Sequence, residues 1–438
     1  MKNLIITTSF ILLSAICVGQ KLNTKKLDSL FQILEQNDKF MGSLAVSQDG
    51  NSIYENTIGF KNLEDSIKSN QNTKYRIGSI SKMFTATLVL KAVEENKLNL
   101  DQSLKDFYPE VVNSGMITIK SLLNHSSGIH DFTRNEDYLK WNQIKQPKDK
   151  MILRIASYTS DFTPNSESEY SNSNFVLLTY ILEDVYKKPF RKLLKEKITD
   201  PLRLTNTFYG GKIDSKNNEA YSYTYLGRWN KETETDMSIP QGAGAIVSTP
   251  GDLNVFIMAL FNENIISKSS LDQMKNIENG YGLGLFRFPY ADKLSYGHTG
   301  GVDGFRSSTR LFPADKLAIS LMSNGINYEN DDILLAVLGS YYGQGFDLPN
   351  FNTVELTEKD LEKFLGTYSS EQIPPKIIIS KEGSTLLAQA TGQSAFPLEP
   401  RSKNTFVFEK AGVKIEFKTG TEEMIMKQGG KEFLFSKE

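Results

Sequence analysis

Apolar positions along the chain fall into two regimes. Leu27, Leu30, Phe31 and Leu34 recur at helical spacing, and two β-rich runs, Ser43–Val46 and Ser52–Ile58, then flank the turn Gln48-Asp49-Gly50. The middle reads as mainly helical. Ile80–Glu95, Ile117–Leu123, Phe175–Val185 and Leu253–Phe261 each carry an apolar face, and the last is introduced by Thr249 and Asp252 at capping-box spacing with Pro250 between them. Strand patterns return in YGLGLFRF, KLSYGH, FRSSTRLF and LAISLMSN, with Pro313-Ala314-Asp315 turning between the last two. A helix over Asp332–Tyr341 closes this unit. Strands at both ends of a helical middle predict one antiparallel sheet completed by both termini, with helices packed on it: an α+β domain.

The run GQGFDLPNFN from Gly343 reads as a linker. Beyond it Thr357 and Asp360 cap a short helix, and strand patterns follow near Gly366–Tyr368, Ile377–Ile379, Leu386–Gln389, Phe406–Phe408, Val413–Phe417, Met424–Met426 and Phe433–Phe435. That spacing predicts a small meandering sandwich or barrel. The expected division is 1–19 signal peptide, 20–343 α+β domain, 344–355 linker and 356–438 barrel.

The first residues, MKNLIITTSFILLSAICVGQK, combine an early lysine, an apolar run and a small residue, Gly19, and so read as a secretory signal. Cleavage there leaves Gln20 first and removes the only cysteine, Cys17, which suits an oxidising envelope compartment. Lipid anchoring through Cys17 is the competing reading; Ile16 before it is bulky for such processing. A net charge of −2 without a basic tract argues against a nucleic-acid partner.

The stretch IGSISKMFTATLVL places Ser79 at the start of an apolar helix and Lys82 on the same face, three residues on. A helix start stabilises developing negative charge, and a desolvated lysine loses its proton near neutral pH, so the pair suits nucleophilic attack. A capping serine beside a solvated lysine is the alternative. In SEYSNSNFVLL, Tyr170 and Asn172 project a phenol and a carboxamide from one loop ahead of a helix. In SYGHTGGVDGF, His298, Thr299, Gly300 and Gly301 follow a strand, with Gly301 extending a bend that lets backbone approach a ligand. No G-x-S-x-G elbow exists, and the spacing of His125, His130 and Asp131 matches no metal-site signature. A structural role near the cleft is expected for His125; no metal or cofactor is called for.

In this order the three elements resemble the serine β-lactamase and penicillin-binding DD-peptidase superfamily, in its class C, D-aminopeptidase and esterase-like branch. LLNHSSGI, DPLRLTNTFY and GAGAIVSTPGDL add to the likeness, which spans about Leu22 to Gly343. The resemblance implies a β-lactamase-like antiparallel sheet flanked by helices, an all-α insertion region and a small antiparallel β-barrel. It makes Ser79 the acylated nucleophile, Lys82 its proton acceptor or electrostatic activator, and Tyr170 the partner of leaving group and water. Asn172, His298, Thr299, Gly300 and Gly301 become substrate contacts, with the amides of Ser79 and Gly301 or a near neighbour as oxyanion donors. His298 stands where many relatives have lysine, so a titratable charge replaces a fixed one. The segment after Ile377 is similar to a lipocalin-like appendage. The implied activity is a secreted serine hydrolase of amide or ester bonds, acting on D-residue peptides or small esters and possessing no membrane span. A protein on the same fold that binds peptidoglycan fragments without turnover is the alternative.

Overall fold

The computed structural model describes residues 22–351, 354–393, 395–408, 411–418, 420–428 and 431–438. The export signal expected over 1–19 therefore lies outside the described residues. The central sheet has eight strands. Its main path uses β1 (Phe40–Gln48), β2 (Asn51–Ile58), β3 (Phe286–Tyr290), β4 (Lys293–Val302), β5 (Phe305–Phe312) and β6 (Leu317–Ile326), in the order β3-β4-β5-β6-β1-β2. The two ends of this domain thus meet in one sheet, as expected: β1 pairs antiparallel with β6, setting Leu44 opposite Leu321.

Alternation decides which face each strand buries. On one side Leu27, Leu30, Phe31 and Leu34 of the Thr24–Gln36 helix pack with Leu44, Leu321, Ile333 and Val337, so the first helix and the Asn330–Tyr341 helix cover the same face. The other face is covered by the Ser81–Glu94, Asn172–Tyr186 and Pro250–Phe261 helices, where Phe84 stacks on Phe256 at 3.7 Å. Full burial of a side chain of that kind contributes about 1.5–3 kcal/mol. The sequence suggests a single apolar face for the Ser81 helix; in fact every residue from Ser81 to Leu90 is buried, as befits a helix at the centre of the domain. Its threonines satisfy their hydroxyls internally, Thr87 donating to Met83 O at 2.8 Å and Thr85 to Gly242 O at 2.8 Å.

Three expectations change. YGLGLFRF is a strand only from Phe286, because Gly284 takes a left-handed φ of +68° where an added Cβ would sit 3.0 Å from Lys82 O. The expected bend after His298 is absent. β4 runs through Thr299, Gly300 and Gly301 to Val302 before a tight turn at Asp303-Gly304. The middle segment also contains a three-stranded sheet of Tyr75–Arg76, Ile246–Ser248 and Phe208–Tyr209, so it is not wholly helical.

The C-terminal strands close into an eight-stranded antiparallel barrel. Its interior is filled by side chains, among them Phe364, Tyr368, Ile379, Leu386, Phe406, Ile415, Met424 and Phe435. Lys39, almost fully buried beside β1, reaches Glu399 of the barrel at 3.2 Å, and Arg401 meets the same carboxylate at 2.9 Å.

Candidate active site

Two glycines bring the nucleophile's turn against the sheet. Gly78 opens a 3₁₀ turn (Gly78–Ile80) at φ +51°, and a Cβ there would lie 2.6 Å from Gly301 N; a Cβ on Gly300 would lie 2.0 Å from Ile77 O. Neither position tolerates a side chain, so backbone packs on backbone between the turn and β4. Ser307 of β5 fastens the contact by donating to Ile77 O at 2.8 Å.

Ser79 opens onto a cavity of about 420 Å³ whose wall includes Asn172, Ala243, Gly301, Tyr138 and Arg306. Behind it the Lys82 amine is fully buried. Its nitrogen lies 3.0 Å from Ser79 Oγ, 2.7 Å from Asn172 Oδ1 and 2.8 Å from Ala243 O. The last two are carbonyl oxygens that can only accept. A neutral amine has two N–H groups for them and one lone pair, which is left facing the serine hydroxyl. Burial brings Lys82 down from the ordinary 10.5 to about 7, against an opposing pull from the Asp131 carboxylate.

Burial raises the pKa of the Tyr170 phenol, against a smaller lowering by the neighbouring Ser79 hydroxyl. The phenol therefore keeps its proton at neutral pH. Lys82 Nζ sits 4.7 Å above the Tyr170 ring, and His125 stacks on that ring at 4.5 Å. His125 accepts from Ser171 N through Nδ1 at 3.1 Å and holds the loop through its carbonyl, which accepts from Glu169 N at 2.9 Å. It is the structural residue it was expected to be, and burial keeps its pKa well below normal.

His298 departs from expectation. Only 2% exposed, it packs against Phe286 at 4.5 Å and donates from Nδ1 to Thr299 O at 2.5 Å. Burial, and then the neighbouring Lys82, push its pKa down to about 3, so no titratable positive charge is offered to a ligand. Thr299 and Gly301 are exposed on the part of β4 beyond Gly297, where the pairing with β3 has ended. Gly300 lies between them, pressed on Ile77.

Asn172 is also not a free substrate contact. Its Oδ1 accepts from Lys82, while Nδ2 donates to Asp131 Oδ2 at 2.9 Å and Thr133 Oγ1 at 3.3 Å. Asp131, considered in the sequence only as an unconvincing metal ligand, is a buried carboxylate of the site. Among the described residues no cluster of three or more metal-ligating side chains occurs, and no helix is long and apolar enough to cross a membrane.

The family model for "Beta-lactamase" matches residues 30–338, from the first helix to the closing helix of the sheet domain. The chain belongs to the beta-lactamase family. Within it, the sequence is 24% identical over 429 residues to penicillin-binding protein 4* of Bacillus subtilis, covering 90% of this chain and 94% of that one. It is 27% identical over 286 residues to the teichoic acid D-alanine hydrolase of Staphylococcus aureus, covering 64% and 69%. Among solved structures, a D-stereospecific amidohydrolase from a Streptomyces species superposes with a TM-score of 0.62 at 25% identity, covering 73% of this chain and 99% of that one. This beta-lactamase family member is a serine hydrolase on the family's α+β fold.

Proposed function

We propose that the chain is an exported enzyme that cleaves amide or ester bonds through an acyl-enzyme on Ser79, with peptides bearing D-residues or small esters as substrates. The observation that carries this is the 3.0 Å contact between Ser79 Oγ and a lysine nitrogen whose other two partners are both acceptors. In acylation the Lys82 lone pair takes the Ser79 proton as Oγ attacks the carbonyl. The resulting oxyanion lies between the N–H groups of Ser79 and Gly301, which the glycine contact at Gly78 holds side by side. Tyr170 gives its proton to the departing amine or alkoxide, and the proton on Lys82 restores the phenol. Water then repeats the sequence in the leaving group's place.

Thr299 and Gly300, on the unpaired edge of β4, suit main-chain pairing with an extended substrate. Preference for D-residue substrates is supported by relatives named for D-alanine and D-stereospecific hydrolysis. Residues 20–343 would form the catalytic domain, 344–355 the linker and 356–438 a lipocalin-like module. The module would serve as a docking or entrance-shaping element.

A panel of D- and L-amino acid amides, D-Ala-D-Ala peptides, p-nitrophenyl esters and nitrocefin tests the proposal. Turnover of a D-residue or ester substrate by wild type and none by Ser79→Ala is expected. Failure on the whole panel together with no covalent adduct would favour the binding-protein alternative. Export is checked by the mature N-terminus, expected at Gln20.

A further inference from the structure

Hydrogen bonds run end to end from a buried carboxylate to the nucleophile. Asp131 Oδ2 accepts from Asn172 Nδ2 at 2.9 Å, Asn172 Oδ1 accepts from Lys82 Nζ at 2.7 Å, and that nitrogen lies 3.0 Å from Ser79 Oγ. Asp131 is itself fixed: its Oδ1 accepts from Thr133 N at 3.0 Å and Thr133 Oγ1 at 2.9 Å. Its loop is tied to the Asn172–Tyr186 helix, where Ser173 Oγ donates to His130 O at 2.6 Å.

The direction of each bond matters. A carboxamide turned through 180° has nearly the same shape with donor and acceptor exchanged, so its partners alone decide which way it faces. A carboxylate can only accept, which draws Nδ2 of Asn172 toward Asp131 and leaves Oδ1 for the amine. Were the amide reversed, it would offer an N–H to the Lys82 lone pair, the electron pair that the serine proton needs.

The geometry points to Asp131 as a positioning residue that sets the donor–acceptor polarity of the Asp131–Asn172–Lys82–Ser79 chain, keeping the lysine lone pair for the nucleophile. The inference rests on the proposed acyl-enzyme chemistry. Asp131 also acts on the amine by charge. The other titratable groups around Lys82 are His125 just beyond the Ile119–Leu123 helix, His298 on β4 and Tyr170 just before the Asn172–Tyr186 helix. All three are held neutral by burial, so the Asp131 carboxylate is the charge the amine faces.

Asp131→Asn is close to isosteric and should invert the chain. Both Thr133 donors hold the oxygen now called Oδ1, so the introduced amide keeps its oxygen there and turns an N–H toward Asn172. Asn172 must then rotate and present its own N–H to Lys82. Ser79 labelling by a fluorophosphonate, followed against pH, reads this without knowledge of the substrate. The single variant is expected to label at least about 100-fold more slowly than wild type, the scale of losing a general base.

Asp131→Asn combined with Asn172→Asp should recover about tenfold or more over the single variant, because the introduced carboxylate again offers only an acceptor to Lys82. Its acid limb should move to higher pH, since a negative charge now touches the amine. A purely structural role predicts equal inactivity of both variants with parallel losses of thermal stability. Labelling of Asp131→Asn within about threefold of wild type, or no recovery in the double variant, overturns the inference. Should the single variant fail to fold, the double variant decides: labelling with an alkaline-shifted limb supports the inference and no labelling overturns it. A wild type that takes no label, or a label that persists in Ser79→Ala, contradicts the acyl-enzyme reading itself.

Discussion

Acidification should silence Ser79 by one decade per pH unit. The reactive species is the neutral form of Lys82, and burial places the midpoint at about 7. By the titration law about half of the amines are neutral at pH 7, about a tenth at pH 6 and about a hundredth at pH 5. Second-order rates of fluorophosphonate labelling should therefore rise with unit slope from pH 5 and level off above pH 7 to 8. Lys82→Arg keeps a cation but cannot give up its proton in a protein, so it should lose the plateau and about 100- to 10,000-fold of the rate. The thermal midpoint of each protein, followed over the same range, separates loss of base from loss of fold. A wild-type profile that is flat between pH 5 and 8, or a Lys82→Arg variant with the full plateau rate, would refute the reasoning.

Other consequences follow from the same contacts. Tyr170→Phe should slow turnover by about 100-fold or more while leaving the acid limb in place, because the phenol is neutral throughout that range; a displaced limb would mean the tyrosine sets the titration. Gly78→Ala forces a side chain into a left-handed conformation, with its Cβ 2.6 Å from Gly301 N. Backbone strain of about 1–3 kcal/mol is expected, together with a larger loss of activity than of folded protein, read by paired unfolding and labelling. Stability itself should depend on Lys82. The unfolded chain holds that proton up to about 10.5 and the folded chain only to about 7, so stability rises with pH through this window. Lys82→Met should flatten the rise, and chemical denaturation at pH 7 and pH 10 would measure it.

Much of this was legible in the sequence because it is local. The Ser79–Lys82 spacing defines one helix face, Tyr170 and Asn172 share one loop, and Pro313-Ala314-Asp315 marks the β5–β6 turn that the structure contains. What escaped depends on partners distant in the chain. Asp131 stands out in the sequence only beside His130, as part of no metal-site signature, and only folding brings it to Asn172. Ala243 serves through its carbonyl, a group every residue carries. His298 looked available because it follows a strand, yet Phe286 and Tyr170 close over it and remove its charge. Asn172 was assigned to substrate because nothing in the sequence shows that Lys82 and Asp131 already occupy both ends of its amide. The bend expected at Gly300 and Gly301 fails for a related reason: those glycines admit the Ile77–Gly78 backbone from another part of the chain.

The central claim is that the amine beside Ser79 is about half neutral at pH 7, where an ordinary lysine is almost wholly charged. Titration of the Lys82 ζ-nitrogen by NMR in the folded protein, assigned by its disappearance in Lys82→Arg, tests it most directly. The account predicts a midpoint at about 7. A midpoint with the surface lysines, near the ordinary 10.5, would contradict it.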